Sequence, residues 1–459
     1  MKKRALLLFS TSLLLGILGY IAGLTRQQTF IVSIFSLSIL GTLLFWDFRL
    51  SFVFIGSSIL FLISGVNIGQ FIRFASLDVI IFLIGMMIVV GMLKESGVFQ
   101  QVVAFVLRAR RINGLKLFVI IIIFSAILSA LVGEVTSMII VVAMIVSICD
   151  SLKINPGPLV ISAVLTTNIG SAATLLGNPI GILIALRSNL TFEDFLTHAL
   201  PVSAVVLVII AFILCIWYRS CIKEISSKIT QSKTSRDFLK YQGLSTGILV
   251  NIVLFGSMML SIASHKRLEM LLGFEENRLL VVLPVIFAGI AVIFRCENVK
   301  YCIKNEVEWR SLLFFIFLFA QAGIIQSSGV AQFLAEKLVK NVGNHPKVLS
   351  GIVLFSSGIL SGVLDNTVVV SSYIPIVKSL HLLHFSLKPL WWCVLFGACF
   401  GGNITAIGST ANIVALGLLE KEKNIKINPW EWLKLGLVVS ILSMLLAYFA
   451  IVYVPIFSQ

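Results

Sequence analysis

Glu134 and Asp365 each put a charge, flanked by Gly or Asn, into a long apolar stretch. Each is followed by a second apolar stretch broken at Gly177-Asn178-Pro179 or at Gly408-Ser409-Thr410. A helix that begins in mid-membrane presents unpaired backbone N–H groups and about half a positive charge, so such starts can hold an anionic or oxygen-rich substrate. Thr136, Asn178, Thr367, Ser409, Thr410 and Asn412 offer hydroxyl or amide contacts beside them. Carbonyls of helices that stop at the same breaks, with Asn168, Asn403 and the two carboxylates, suit a hard cation such as sodium. A carboxylate withdrawn from water also takes up a proton more readily, which makes Glu134 and Asp365 candidate proton carriers. Structural readings stand beside these: carboxylates bonded to hairpin amides, Gly177 and Gly408 permitting close helix packing, Asn168 and Asn403 satisfying freed backbone groups.

Irregular backbone at membrane depth survives only where it lines a protein-enclosed cavity, and the composition puts this chain in a membrane. Of 459 residues 58% are hydrophobic and 12% charged, and the mean hydropathy is +1.06. Stretches such as Leu77 to Leu93 and Leu433 to Val454 have the ~20-residue length of a membrane span. The net charge of +15 is a topology signal and not a nucleic-acid footprint, because Lys and Arg sit in short polar connections. With the amino terminus inside, 24 of the 35 fall on the cytoplasmic face, Arg49, Lys94 and Arg310 among them, and 11 on the other. That count predicts a cell-membrane protein with its amino terminus cytoplasmic and its carboxyl terminus outside, partnered by the lipid bilayer and by no nucleic acid. The seven Cys form no CxxC pair and read as packing residues. Met1-Lys2-Lys3-Arg4 and the apolar run after it lack an A-x-A cleavage site and read as a first span.

The expected fold is all-α and polytopic, with about 11 transmembrane helices, two re-entrant hairpins, inverted repeats and two broken helices. Residues 1–76 supply scaffold helices, 77–217 the first repeat, 218–243 a basic cytoplasmic loop, 244–310 linker helices and 311–455 the second repeat. The first hairpin covers 117–149, with arms of 16 and 15 apolar residues that reach only ~24 Å of a ~30 Å core; the second covers 348–377. Broken helices cover 158–187 and 390–419. An interfacial helix is expected between Lys94 and Lys116, and its counterpart at Val330 to Asn341. Ser96-Gly97-Val98 matches Ser328-Gly329-Val330, and Ile127-Leu128-Ser129 matches Ile359-Leu360-Ser361. Asn168-Ile169 with Gly177 pairs with Asn403-Ile404 and Gly408, the first interval being four residues longer.

These residues carry a resemblance. Leu364-Asp365-Asn366-Thr367, Thr167 to Gly170 through Leu176 to Pro179, and Gly401-Gly402-Asn403 through Ile407 to Asn412 resemble the ion-transporter superfamily. It holds the arsenite permeases, the P-protein branch and the divalent anion:sodium symporters, some with a citrate-transporter-like domain. Over roughly residues 50 to 455 the resemblance implies two hairpin tips and two broken helices around one site. It also implies a scaffold that often dimerises and a transport domain that moves like an elevator. Asn366-Thr367 match the Asn-Thr of the symporters' hairpin tip and Asn412 the Asn after the break, which implies sodium near Asn366, Thr367 and Asn412. The first tip departs from that pattern with Gly133-Glu134-Val135-Thr136, and Ile180-Gly181 follow the first break.

The function expected is secondary transport of an anion or oxyacid, such as arsenite or a carboxylate, coupled to H+ or Na+ or driven by the membrane potential. The alternative is a Na+/H+ antiporter using Glu134 and Asp365. No cofactor beyond a coupling ion and no structural metal is expected; His381 and His384 read as a solvated loop. No nucleophile, base or metal cluster lies at depth, so the chain is not expected to be an enzyme. No GxxxxGK[ST] loop is present, so a pump ATPase would be a separate chain.

Overall fold

The computed structural model describes residues 2–99, 101, 113–231, 246–295, 303–343, 345–383 and 385–457, and among them it is helical with no strand. The chain opens with α1 (Lys2–Ala22), α2 (Arg26–Leu44), α3 (Arg49–Ser64), α4 (Ile68–Phe74) and α5 (Leu77–Glu95). Local chemistry sets these boundaries. Thr25 with Gln28, and Asn67 with Gln70, form reciprocal capping boxes at the starts of α2 and α4. Left-handed Gly65 ends α3.

Next come α6 (Gly114–Val132), α7 (Glu134–Leu152), α8 (Gly157–Ser171), α9 (Pro179–Ser188) and α10 (Phe192–Trp217). Helices α6 and α7 are 19 residues each, about 28 Å at 1.5 Å per residue. They exceed the expected 16 and 15 because Asn113 caps α6 with its polar first turn and α7 runs on to Lys153. Length therefore does not separate re-entrance from crossing in the first hairpin. Among the described residues nine helices are long and apolar enough to cross a membrane, and α6 and α7 are two of them.

The expected basic loop begins instead as a helix, α11 (Arg219–Gln231), docked on α6 where the Gly114 N–H donates to Ser226 Oγ at 3.0 Å. Then follow α12 (Thr246–Ala263), α13 (His265–Leu272) and α14 (Arg278–Arg295). The second repeat contains α15 (Trp309–Ser327), α16 (Val330–Val342), α17 (Pro346–Ser361), α18 (Asn366–His381), α19 (Lys388–Gly401), α20 (Thr410–Lys423) and α21 (Pro429–Tyr453). Helix α16 is the expected counterpart helix; most of its expected mate, residues 102–112, lies outside the described residues, as do Cys296, Cys302 and His384.

The halves repeat in packing as well as in sequence. Helices α5 and α15 have 19 residues each and both end in Ser and a left-handed Gly, Gly97 at φ 76° and Gly329 at φ 78°. The first hairpin arm lies on the first half of the broken helix in both repeats, α6 on α8 and α17 on α19. The contact is backbone-close in each: a Cβ on Gly170 would stand 2.2 Å from the Ala126 carbonyl, and one on Gly401 2.1 Å from that of Gly358. Thr174 Oγ1 donates to Ala130 O, and Thr405 Oγ1 to Gly362 O. Helices α8 and α19 are the most enclosed elements, and nearly every residue in them is buried.

Candidate functional site

Gly133, at φ 91°, turns the chain between α6 and α7 and gives α7 no side-chain cap. The Glu134 N–H donates to Gly177 O at 2.9 Å, so one backbone hydrogen bond joins the first tip to the first break. The Glu134 side chain is 3% exposed, Asn366 faces its carboxylate, and Oε2 has no hydrogen-bond partner. The second tip is built differently. Asp365 caps α18, accepting the Thr367 N–H at 2.9 Å, and accepts Thr410 Oγ1–H at 2.6 Å. It thus ties the second hairpin to the start of α20. Glu134 opens α7 as Asn366 opens α18, while Asp365 stands where the first repeat has Gly133. The two acids are not repeat equivalents.

The breaks also correct a sequence match. Seven residues, 172–178, separate α8 from α9, and eight, 402–409, separate α19 from α20. Asn178 caps α9 through Gly181 N–H at 2.7 Å, and Ser409 caps α20 through Ala411 N–H at 3.2 Å. Asn168 lies within α8 whereas Asn403 lies in the second break, so they are not equivalents and no four-residue insertion exists. They meet across the halves instead. Asn168 Nδ2 donates to Asn403 Oδ1 at 2.7 Å and to Asn412 Oδ1 at 2.9 Å. Asn412 spends its NH2 on Gly402 O and Thr405 O, at 2.9 Å each. Three buried amides therefore tie α8 of the first repeat to the second break and to the start of α20.

Between the hairpin tips and the ends of α3, α5 and α15 lies a cavity of about 960 Å3, a figure that includes the open space at its mouth. Six of the expected residues line it: Glu134, Thr136, Asn178, Asp365, Thr367 and Thr410. Asn168, Gly177, Asn366, Asn403, Gly408, Ser409 and Asn412 do not. Sequence reasoning missed the opposite wall, made by Arg49, Glu306, Glu308 and Ser311 with Met86, Met87, Phe314 and Phe315. Arg49 donates to Ser311 Oγ at 3.4 Å and lies 5.4 Å from the centre of the Phe314 ring. Lys94 pairs with Glu306 at 3.2 Å at the rim. Arg49 had counted only as a loop charge; its position one residue before an apolar run was the signal.

Asp365 separates capping from ionic roles. Asp365→Ala removes the cap and the Thr410 tie, and should cost about 1–2 kcal/mol, read as a lower apparent melting temperature in detergent. Asp365→Asn keeps an acceptor at the cap and should fall less. Equal falls would show that the cap contributes nothing.

Known proteins resemble this chain in sequence and in fold. A family model described as Citrate transporter matches residues 5–336 and 315–457. An uncharacterized transporter of Mycobacterium tuberculosis is 32% identical over 377 residues, covering 81% of this chain and 84% of that protein. The human P protein is 24% identical over 422 residues, covering 76% of this chain and 50% of its own length. The crystal structure of the Alcanivorax borkumensis YdaH transporter aligns with a TM-score of 0.57 at 14% identity, over 92% of this chain and 97% of that one. The fold is thus that of a membrane transporter, and the relatives named for an activity are transporters rather than enzymes.

Proposed function

The chain belongs to the citrate transporter family, and from that premise we propose that it is a secondary active carrier of a small carboxylate anion, with Glu134 carrying a coupling proton. The observation that carries this reading is that Arg49 and the first hairpin tip line one cavity, in which Asp365 is the carboxylate that Arg49 feels most. Arg49 offers a fixed positive charge whose planar fork matches a carboxylate. Opposite it, the start of α7 has no side-chain cap, and its dipole favours an anion. Glu134, Asp365, Glu306 and Glu308 share the lining, so an anion enters favourably only with a proton or cation. Glu134 is suited to that part because it is buried and one of its oxygens has no partner.

By the loop-charge count the cavity opens to the cytoplasm, since Arg49, Lys94 and Arg310 lie at its mouth or beside it. Helices α6–α10 and α17–α21 then form the moving part and the remaining helices a scaffold that pairs in a homodimer. The hairpins re-enter, best supported in the second repeat, whose arms are 16 residues each.

The purified protein in liposomes should accumulate labelled citrate or another di- or tricarboxylate when the interior is made alkaline. Absence of flux across a carboxylate and oxyanion panel would overturn the reading. Arg49→Ala should raise KM roughly ten- to hundredfold, the worth of a charge-assisted hydrogen bond of about 1.5–3 kcal/mol. Arg49→Lys should raise it less, and an unchanged KM in Arg49→Ala would remove Arg49 from the site. The acid-rich lining favours one competing reading, Na+/H+ exchange, which predicts a sodium-driven pH change in vesicles lacking any anion substrate.

A further inference from the structure

A second cavity lies at the far end of the same helices. Helix α9 lines the first cavity with Pro179 and Ile182 and the second with Leu183 and Arg187. Helix α15 passes from Phe314 and Phe315 to Phe319 and Gln326, and α18 from Thr367 to Ser371 and Lys378. Phe315 and Gln326 are roughly 16 Å apart at 1.5 Å per residue along α15. Between the cavities the rings of Phe315 and Phe319 stack, centroids 6.0 Å apart, beside Ile182 and Leu183. The two hollows lie along the same three helices, and these apolar side chains form the waist between them.

Their charges are inverse. Four carboxylates line the first cavity against Arg49, whereas Arg73, Arg187 and Lys378 line the second with no acid. Asp78 pairs with Arg187 at 3.0 Å from outside that lining. Among the described residues neither Arg73 nor Lys378 makes an ion pair within 4.0 Å. Lys378 is half-buried, and the charges it feels most are Arg187 and Asp78. Arg73 is exposed and Arg187 already has Asp78, so what the cluster offers is a positive local potential that favours an anion. The clustering is the more pointed because this face holds only 11 of the 35 basic residues.

We propose that the second cavity is a docking vestibule for a polyvalent carboxylate, with Arg73, Arg187 and Lys378 as its donors, on the outer face by the loop-charge count. The proposal rests on the anion-carrier reading of the first cavity and adds the place where the anion is first held. It steers the anion to the waist by local potential rather than by a tight fit.

A thiol at the exposed, cavity-lining Gln326 reads that potential directly. In Gln326→Cys, at low ionic strength, a negatively charged sulfonate methanethiosulfonate should label this site faster than a neutral one, as followed by peptide mass spectrometry. That preference should shrink when Arg73→Gln and Lys378→Gln are added, and citrate should slow labelling only where both cations remain. In transport, either single substitution should raise the citrate KM from this side roughly two- to fivefold, the worth of one exposed charge, with the saturated rate unchanged. No reagent preference and no citrate protection, in a protein that still moves citrate, would overturn the vestibule. Preference and protection without any anion flux would uphold the vestibule and overturn the carrier reading instead.

Discussion

Glu134→Gln should abolish proton-driven accumulation while leaving a folded protein that still exchanges substrate across the membrane. Gln has nearly the shape of a protonated Glu, so the variant is locked in the loaded form. With one proton per cycle, one pH unit corresponds to about 1.36 kcal/mol and supports about tenfold accumulation; in Glu134→Gln the inside-to-outside ratio should stay near one at every imposed gradient. Downhill counterflow of labelled against unlabelled citrate should survive, because it requires no change of protonation. The fold should tolerate the change, since the Glu134 contact to the first break is made by its backbone N–H and not by its side chain. Accumulation that persists in Glu134→Gln would remove this carboxylate from the coupling step.

Asp365 offers a contrast that sharpens the assignment. Both of its oxygens are engaged, one by the Thr367 N–H and the other by Thr410 Oγ1. A carboxylate that accepts two hydrogen bonds is held in its role as a cap. Glu134 has a free oxygen in the cavity wall. The sequence presented the two acids as a symmetric pair, and only their hydrogen bonds tell them apart, Asp365 capping α18 and Glu134 keeping one oxygen without a partner.

Much of the fold was legible because membrane burial leaves coarse marks. Apolar runs of fixed length gave the helices, and the Gly-Asn-Pro and Gly-Ser-Thr interruptions gave both breaks, where Asn178 and Ser409 cap the second half-helices. What stayed hidden needed distances. Asn168 and Asn403 looked equivalent because an Asn-Ile pair precedes a Gly in both halves, yet one sits inside α8 and the other in a break. No periodicity distinguishes those situations. Arg49, Glu306 and Glu308 were hidden for another reason: they lie outside the hairpins and the broken helices, and what brings them to the hairpin tips is packing between regions more than 50 residues apart in sequence. Pattern reading finds elements that break their own rules, and it misses ordinary residues that become walls of a cavity by assembly.

Gly177→Ala should be among the most damaging single methyl groups that can be added to this chain. Its φ is not in the left-handed region, so the effect is one of space. A Cβ on Gly177 would lie 2.1 Å from Ser171 O and 2.6 Å from Ser171 Cα. Those are backbone atoms at the end of α8, which cannot turn aside as a side chain can. Relief requires moving the break away from α8, and that pulls on the hydrogen bond from Glu134 N–H to Gly177 O. Overpacking against backbone should cost about 3 kcal/mol or more, well beyond the loss of one cap. Gly417→Ala in α20 is the matched control, since its Cβ meets nothing within 4 Å, and Gly to Ala within a helix gains about 0.5–1 kcal/mol. Thermal unfolding in detergent should therefore move in opposite directions for the two variants. If Gly177→Ala melts with the wild type, the break is not held against α8 as tightly as its backbone contacts require, and the coupling of the first tip to the first break loses its mechanical basis.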